Sequence, residues 1–122
     1  MLVRAALQNA KLSEYTIIDA GDLQAANAAL ESKRIDLCLI DFQLADTDAF
    51  EVIQRLKRVQ TIEPAFILMS GIDTDNMLDK ALEAGFYDFI EKEKISPYVI
   101  DRSIHYAVQH QRIKGFLKET KI

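Results

Sequence analysis

The chain has 122 residues, 49% hydrophobic and 28% charged, with 15 Lys and Arg against 19 Asp and Glu for a net charge of −4. That composition suits one ordinary globular domain, expected to run over residues 1–122, and its mild acidity argues against direct binding to nucleic-acid phosphate. No apolar run approaches the roughly 20 residues of a membrane span, and the start MLVRAALQNA lacks the core of a signal peptide, so a cytoplasmic protein is expected.

Leu2, Val3, Ala6, Leu7 and Ala10 recur at helical spacing, so the chain opens in an amphipathic helix with no strand before it. Tyr15–Ala20 (YTIIDA) is a β-rich run closing on Gly21, and Asp22 is placed to cap a helix from Leu23 to about Lys33. Ile35, Leu37, Leu39 and Ile40 surround Cys38 in an apolar run that stops at Asp41, the pattern of a parallel strand buried on both faces. Cys38, the single cysteine, can form no internal disulfide and reads as a buried small hydrophobe in a reducing compartment.

Phe50, Val52, Ile53, Leu56 and Val59 mark a third helix that gives way before Pro64, and Ala65–Met69 (AFILM) is a second apolar strand, ending at Ser70 and Gly71. Asp73, Thr74 or Asp75 can cap a fourth helix through Met77, Leu78, Ala81 and Leu82, with Gly85 placed to end it. Phe86–Ile90 is a third apolar strand, leading into Glu91, Lys92, Glu93 and Lys94. Ser96 before Pro97 caps the last and longest helix. On it Ile100, Ile104, Ala107 and Val108 can face a sheet, while Tyr98, Tyr106, Ile113, Phe116 and Leu117 extend apolar character beyond one face, which reads as a core stripe with a frayed end or as a dimer face or the start of a coiled coil. His105 and His110 fall about 140° apart around that helix and so make no metal pair.

Strand and helix alternate with short connections, which predicts a parallel sheet with helices on both faces. Ligands of such sheets bind outside the carboxyl ends of the strands. Three strand ends deliver a carboxylate (Asp41), a hydroxyl with a glycine amide behind it (Ser70, Gly71) and an ammonium (Lys92). A phosphoryl group on Asp41 would need that set: an oxygen to attack, donors for its oxygens and a cation against its charge.

On these residues the chain resembles the receiver domain of two-component response regulators, over nearly all its length. Asp41 in LCLIDFQL looks like the phospho-acceptor, Ser70 in ILMSG like the switch hydroxyl, and Lys92 in YDFIEK like the lysine after the last strand. Phe89 falls where the family carries its switch aromatic. The resemblance implies a flavodoxin-like doubly wound sheet, Mg²⁺ as cofactor held by Asp41 and the backbone carbonyl of Gln43, and a histidine kinase or phosphotransfer protein as partner. It implies a domain that catalyses its own phosphorylation rather than an ordinary enzyme.

The departures shape the expectation further. The family's first strand and the acidic pair at its end have no counterpart in this sequence, Ala45 and Ala49 stand where proline and glycine are usual, and Glu93 replaces a proline. A cis peptide at Glu93 would cost about 2.5–4 kcal/mol and is not expected. Without the pair, Mg²⁺ is poorly held and phosphorylation weakened, which leaves a pseudo-receiver interaction module as the alternative. Asp19 and Asp22 could replace the pair only if the YTIIDA run moved inward. The lost strand would also leave a sheet edge open to a homodimer or to a strand-completing association. A haloacid-dehalogenase-like phosphatase is rejected, since position 43 is Gln where that family needs a second Asp.

Overall fold

The strand Ala65–Ser70 has all six of its residues buried, which requires neighbours on both edges and cover on both faces. The computed structural model describes residues 2–10, 14–43, 48–71 and 76–120. In chain order its elements are α1 (Leu2–Gln8), α2 (Leu23–Ser32), β1 (Leu37–Asp41), α3 (Ala49–Leu56), β2 (Ala65–Ser70), α4 (Met77–Ala84), β3 (Asp88–Glu91), a 3-10 turn (Lys92–Lys94) and α5 (Pro97–Thr120). The sheet is parallel in the order β1-β2-β3, with Leu39 beside Ile67, Asp41 beside Met69 and Ser70 beside Glu91. This is the parallel α/β architecture that the pattern predicts, and the flavodoxin-like class that the resemblance implies.

Alternation along the strands feeds two cores. Ile40, Phe66 and Leu68 enter the one beneath α2, α3 and α4, with Leu30, Val52, Ile53, Leu56, Ala81 and Phe86. Ala65, Ile67 and Ile90 enter the other, beneath α1 and α5, with Ala6, Leu7, Ile100, Ile104 and Ala107. Each fully buried Phe, Leu or Ile contributes roughly 1.5–3 kcal/mol relative to exposure.

The helix boundaries follow local chemistry. The Asp22 carboxylate accepts the Ala25 N–H (2.8 Å), Asp48 accepts that of Glu51 (2.9 Å) and Ser96 Oγ accepts that of Val99 (3.1 Å), each relieving an orphan donor of a first turn. Gly85, at φ +112°, ends α4 with its N–H bonded back to Ala81 and Leu82. The Gln60 side chain spans both backbone groups of Ile35, accepting its N–H at 2.7 Å and donating to its carbonyl at 3.0 Å.

Four expectations need correction. Tyr15–Ala20 forms no strand, because β-propensity makes a strand only where a ladder partner is presented. Instead Tyr15 and Ile17 pack into the α1/α5 core, the Tyr15 hydroxyl donates to the buried Asp101 of α5, and Asp19 pairs with Arg4 of α1. Burial first, then the hydrogen bond to Asp101 and its charge, raise the Tyr15 hydroxyl well above the usual phenol range. Secondly, β1 is only half-buried at Leu37, Cys38 and Leu39, since β2 covers one of its edges alone. Thirdly, β3 begins at Asp88: Phe86 and Tyr87 are spent joining α4 to the sheet, through Phe86 N–H to Ala81 (2.9 Å) and Tyr87 N–H to Phe66 (2.7 Å). Lastly, α3 stops at Leu56, with Val59 in the turn beyond it.

The expected α4 caps Asp73, Thr74 and Asp75 lie outside the described residues, and the helix starts after Asn76, which has a left-handed backbone (φ 70°) and no side-chain cap bond. On α5 the expected face is buried at Ile100, Ile104 and Ala107, whereas Tyr98, Tyr106 and Ile113 are exposed. The side chains of Phe116 and Leu117 lie outside the described residues. Among the described residues no helix is long and apolar enough to cross a membrane and no peptide bond is cis.

Candidate acceptor site at the strand ends

All three strands run the same way, so their carboxyl ends open on one side of the sheet and bring Asp41, Ser70 and Lys92 to a common rim. Asp41 is the last residue of β1 and Ser70 the last of β2, while Lys92 opens the 3-10 turn directly after β3. That turn bends the lysine back over the sheet, and its Nζ pairs with Asp41 Oδ2. Both side chains keep some solvent, 29% for Asp41 and 39% for Lys92, so the pair sits at the rim and not in the core.

The second carboxylate oxygen is held as well. Asp41 Oδ1 accepts the Gln43 N–H at 3.0 Å, and the Phe42 N–H between them donates to the Met69 carbonyl at 2.7 Å, carrying the ladder one residue past the strand. Gln43 and Asp48 form an antiparallel bridge, and Asp48 caps α3. The role of Asp48 was not foreseen from the sequence, although an Asp just before an apolar-periodic helix is the signal that finds it.

Ser70 is completely buried beneath this rim. A methyl group at Gly71 would come no nearer to anything than 4.0 Å from Lys92 Cδ, so the backbone here runs alongside the lysine stem. Phe89 is half-buried against the α2–α4 core, two strands away from Asp41 with β2 between them. The structure thus brings Asp41, Gln43, Gly71 and Lys92 into one neighbourhood with Ser70 at its base.

Among the described residues no group of three or more His, Cys, Asp or Glu is placed to hold a metal. Mg²⁺ takes one or two carboxylates together with waters and phosphate oxygens, so here it would share Asp41 with Lys92 and the Gln43 N–H, without the acidic pair usual in the family that the sequence resembles. Asp19 and Asp22 are engaged with Arg4 and the α2 cap and do not supply it. His105 lies 3.9 Å from Asp101 and His110 stacks on Tyr106, both exposed on α5. Burial pushes the Cys38 thiol up to about 12, which keeps it protonated and unreactive at neutral pH.

The model of the family described as "Response regulator receiver domain" matches residues 1–102. The chain belongs to the receiver-domain family of response regulators. Among curated relatives it is 29% identical over 83 residues to the phosphate regulon transcriptional regulatory protein PhoB of Pseudomonas aeruginosa, an overlap of 67% of this chain and 36% of that protein. It is 32% identical over 80 residues to the cyclic di-GMP phosphodiesterase response regulator RpfG of Xanthomonas campestris pv. campestris, covering 65% of this chain and 21% of the relative. The receiver thus spans about a third or less of those proteins. The solved structure of NtrX from Brucella abortus superposes with a TM-score of 0.76 at 21% identity, over 98% of this chain and 26% of that one. That likeness supports the receiver fold.

Proposed function

We propose that this domain is a phosphorylation-dependent switch whose acceptor is Asp41. The observation that carries the reading is the carboxylate at the end of β1, fixed through both oxygens and paired to Lys92, with Ser70 and Gly71 on the neighbouring strand. The donor is a phosphohistidine on a histidine kinase or phosphotransfer protein. An Asp41 oxygen attacks the phosphorus, the P–N bond breaks with its electron pair left on the imidazole, and an acyl phosphate forms. Lys92 exchanges its contact with the carboxylate for the phosphoryl oxygens, and Ser70 and the Gly71 N–H, at the end of the neighbouring strand, are the further donors assigned to them. The added charge, about −1.5 to −2 by analogy with other protein phosphates, draws Ser70 and Lys92 inward and moves Phe89, so β3 and α5 transmit the change to a partner.

Titration with Mg²⁺ and beryllofluoride, followed by amide NMR, tests this reading. Saturable shifts at Ser70, Gly71 and Lys92 that vanish in Asp41→Asn are the expected result. No response from a folded sample would mean a pseudo-receiver that acts only by binding.

A second reading is favoured by β1. Among the described residues no strand pairs with its outer edge, and the half-exposed Leu37, Cys38 and Leu39 carry neither the charge nor the proline that usually blunts an edge. Under this reading a further strand, from a second copy or a partner chain, completes the sheet there. Sedimentation equilibrium giving a monomer at all micromolar concentrations would exclude the second-copy form.

A further inference from the structure

An aromatic chain runs from the acceptor loop into the core. The Phe42 ring, next to Asp41 in sequence, meets Phe50 edge-to-face at 5.6 Å and 75°. Phe50 meets Phe86 at 6.2 Å and 82°, and Phe86 meets the fully buried Phe66 at 6.4 Å and 85°. The four rings come from the residue after β1, the first turn of α3, the segment before β3 and the start of β2. Phe66 and Phe86 are buried in the core, so Phe50 packs on the core from outside and Phe42 packs on Phe50.

We propose that Phe42 and Phe50 are positioning residues for the acceptor carboxylate, acting through the Gln43 N–H. The turn that aims this N–H at Asp41 Oδ1 has three supports: the Phe42 N–H on Met69, the Gln43–Asp48 bridge and the Phe42 ring on Phe50. The first two are backbone links, available to any residues other than proline at 42 and 43. The third depends on side chains, and it ties the turn to α3 and, through Phe86, to the core beneath it. With Oδ1 held by an amide and Oδ2 by Lys92, rotation of the carboxylate plane would break one contact or the other, which favours one orientation of the nucleophile. If the ring pair is lost, Asp41 keeps its charge and its lysine but gains rotational freedom. This inference rests on the acceptor reading for its consequence in phosphoryl transfer, while its structural half stands on the unphosphorylated chain.

The test uses the full chain with Phe42→Ala, Phe50→Ala, both together, and Phe42→Tyr, which keeps the ring. Gln43 amide exchange is measured by NMR, and phosphorylation by acetyl phosphate is followed in parallel. Loss of an edge-to-face pair is expected to speed Gln43 exchange by about two- to tenfold. The double variant is expected to go little further than either single, and Phe42→Tyr to behave as wild type, while the amides of Ile67 and Leu68 stay protected. The phosphorylation rate should fall by a similar factor with the donor KM unchanged. Phe42→Leu, which keeps bulk without a ring edge, carries the test if either alanine variant exposes the Ile67 and Leu68 amides. Unchanged Gln43 exchange, or additive effects of the two alanines, would overturn the proposal. If the wild type takes no phosphoryl group yet Gln43 responds as described, the acceptor reading fails and the ring pair stands as the brace of this turn.

Discussion

Replacing Lys92 by alanine tests how the site is held before any phosphoryl group arrives. The Asp41–Lys92 pair is neither fully exposed nor buried, at 29% and 39% side-chain exposure. Exposed pairs contribute about 0.2–1 kcal/mol, and breaking a buried one costs about 3–5 kcal/mol by stranding a charge. Asp41 retains solvent and the Gln43 N–H, so it is not stranded, and the loss should lie near the top of the exposed range, about 1 kcal/mol. For a chain of this size that corresponds to a fall in Tm of roughly 4 °C. Urea unfolding followed by circular dichroism, at low salt and again near 0.5 M, is the assay. The gap between wild type and Lys92→Ala should narrow at high salt, where the Debye length drops to a few ångströms. In a double-mutant cycle with Asp41→Asn, which removes the charge but keeps an acceptor for Gln43, the coupling should also come to about 1 kcal/mol. A loss above about 3 kcal/mol would show a desolvated pair, and a loss insensitive to salt would show that the lysine stem matters for packing. Either result would refute the electrostatic reasoning.

Two further predictions address the frame around the site. Gly85→Ala should destabilise by about 1 kcal/mol or more in urea, because φ is +112° and a Cβ is strained there, while the nearby end of the Lys57 side chain can swing aside; Gly115→Ala, on α5 with nothing within 4 Å, should stabilise by about 0.5–1 kcal/mol. Cys38 holds its proton more tightly folded than unfolded, so its contribution to stability is complete below the ordinary thiol value and lost as pH rises toward about 12. Stability curves from pH 8 to 10.5 should therefore slope downward in wild type and less steeply in Cys38→Ala, and equal slopes would refute the burial argument.

The residues that gather at the rim, the candidate site, were legible because each announces itself locally. Asp41 and Ser70 are the first polar side chains after apolar runs, and parallel strands put such residues on one rim without any knowledge of the core. The caps at Asp22 and Ser96 were legible for the same reason: a cap is a contact over three residues. Tyr15–Ala20 misled because its composition is that of a strand while strand formation is settled by a neighbour far along the chain. Tyr15 instead bonds to Asp101, a partner 86 residues away that no window of sequence contains. The half-exposure of Leu37 and Leu39 was hidden likewise, since a one-sided ladder and a two-sided one read the same along the strand. The brace of Phe42 on Phe50 was missed because rings at 42, 50, 66 and 86 share no period.

Gln60 makes its contribution through alignment. In a parallel sheet sandwiched between two cores, a slip of one residue would send Leu39 into the space shaped for Ile40 and carry Asp41 off the rim, away from Lys92. The ladder bonds of β1 do not resist this strongly by themselves, because every rung offers the same donor and acceptor. The Gln60 amide, closing on both backbone groups of Ile35, marks one residue out from its neighbours before β1 begins. A side chain at the far end of the strand thus acts as an index stop, helping to fix which residue of β1 arrives opposite the lysine.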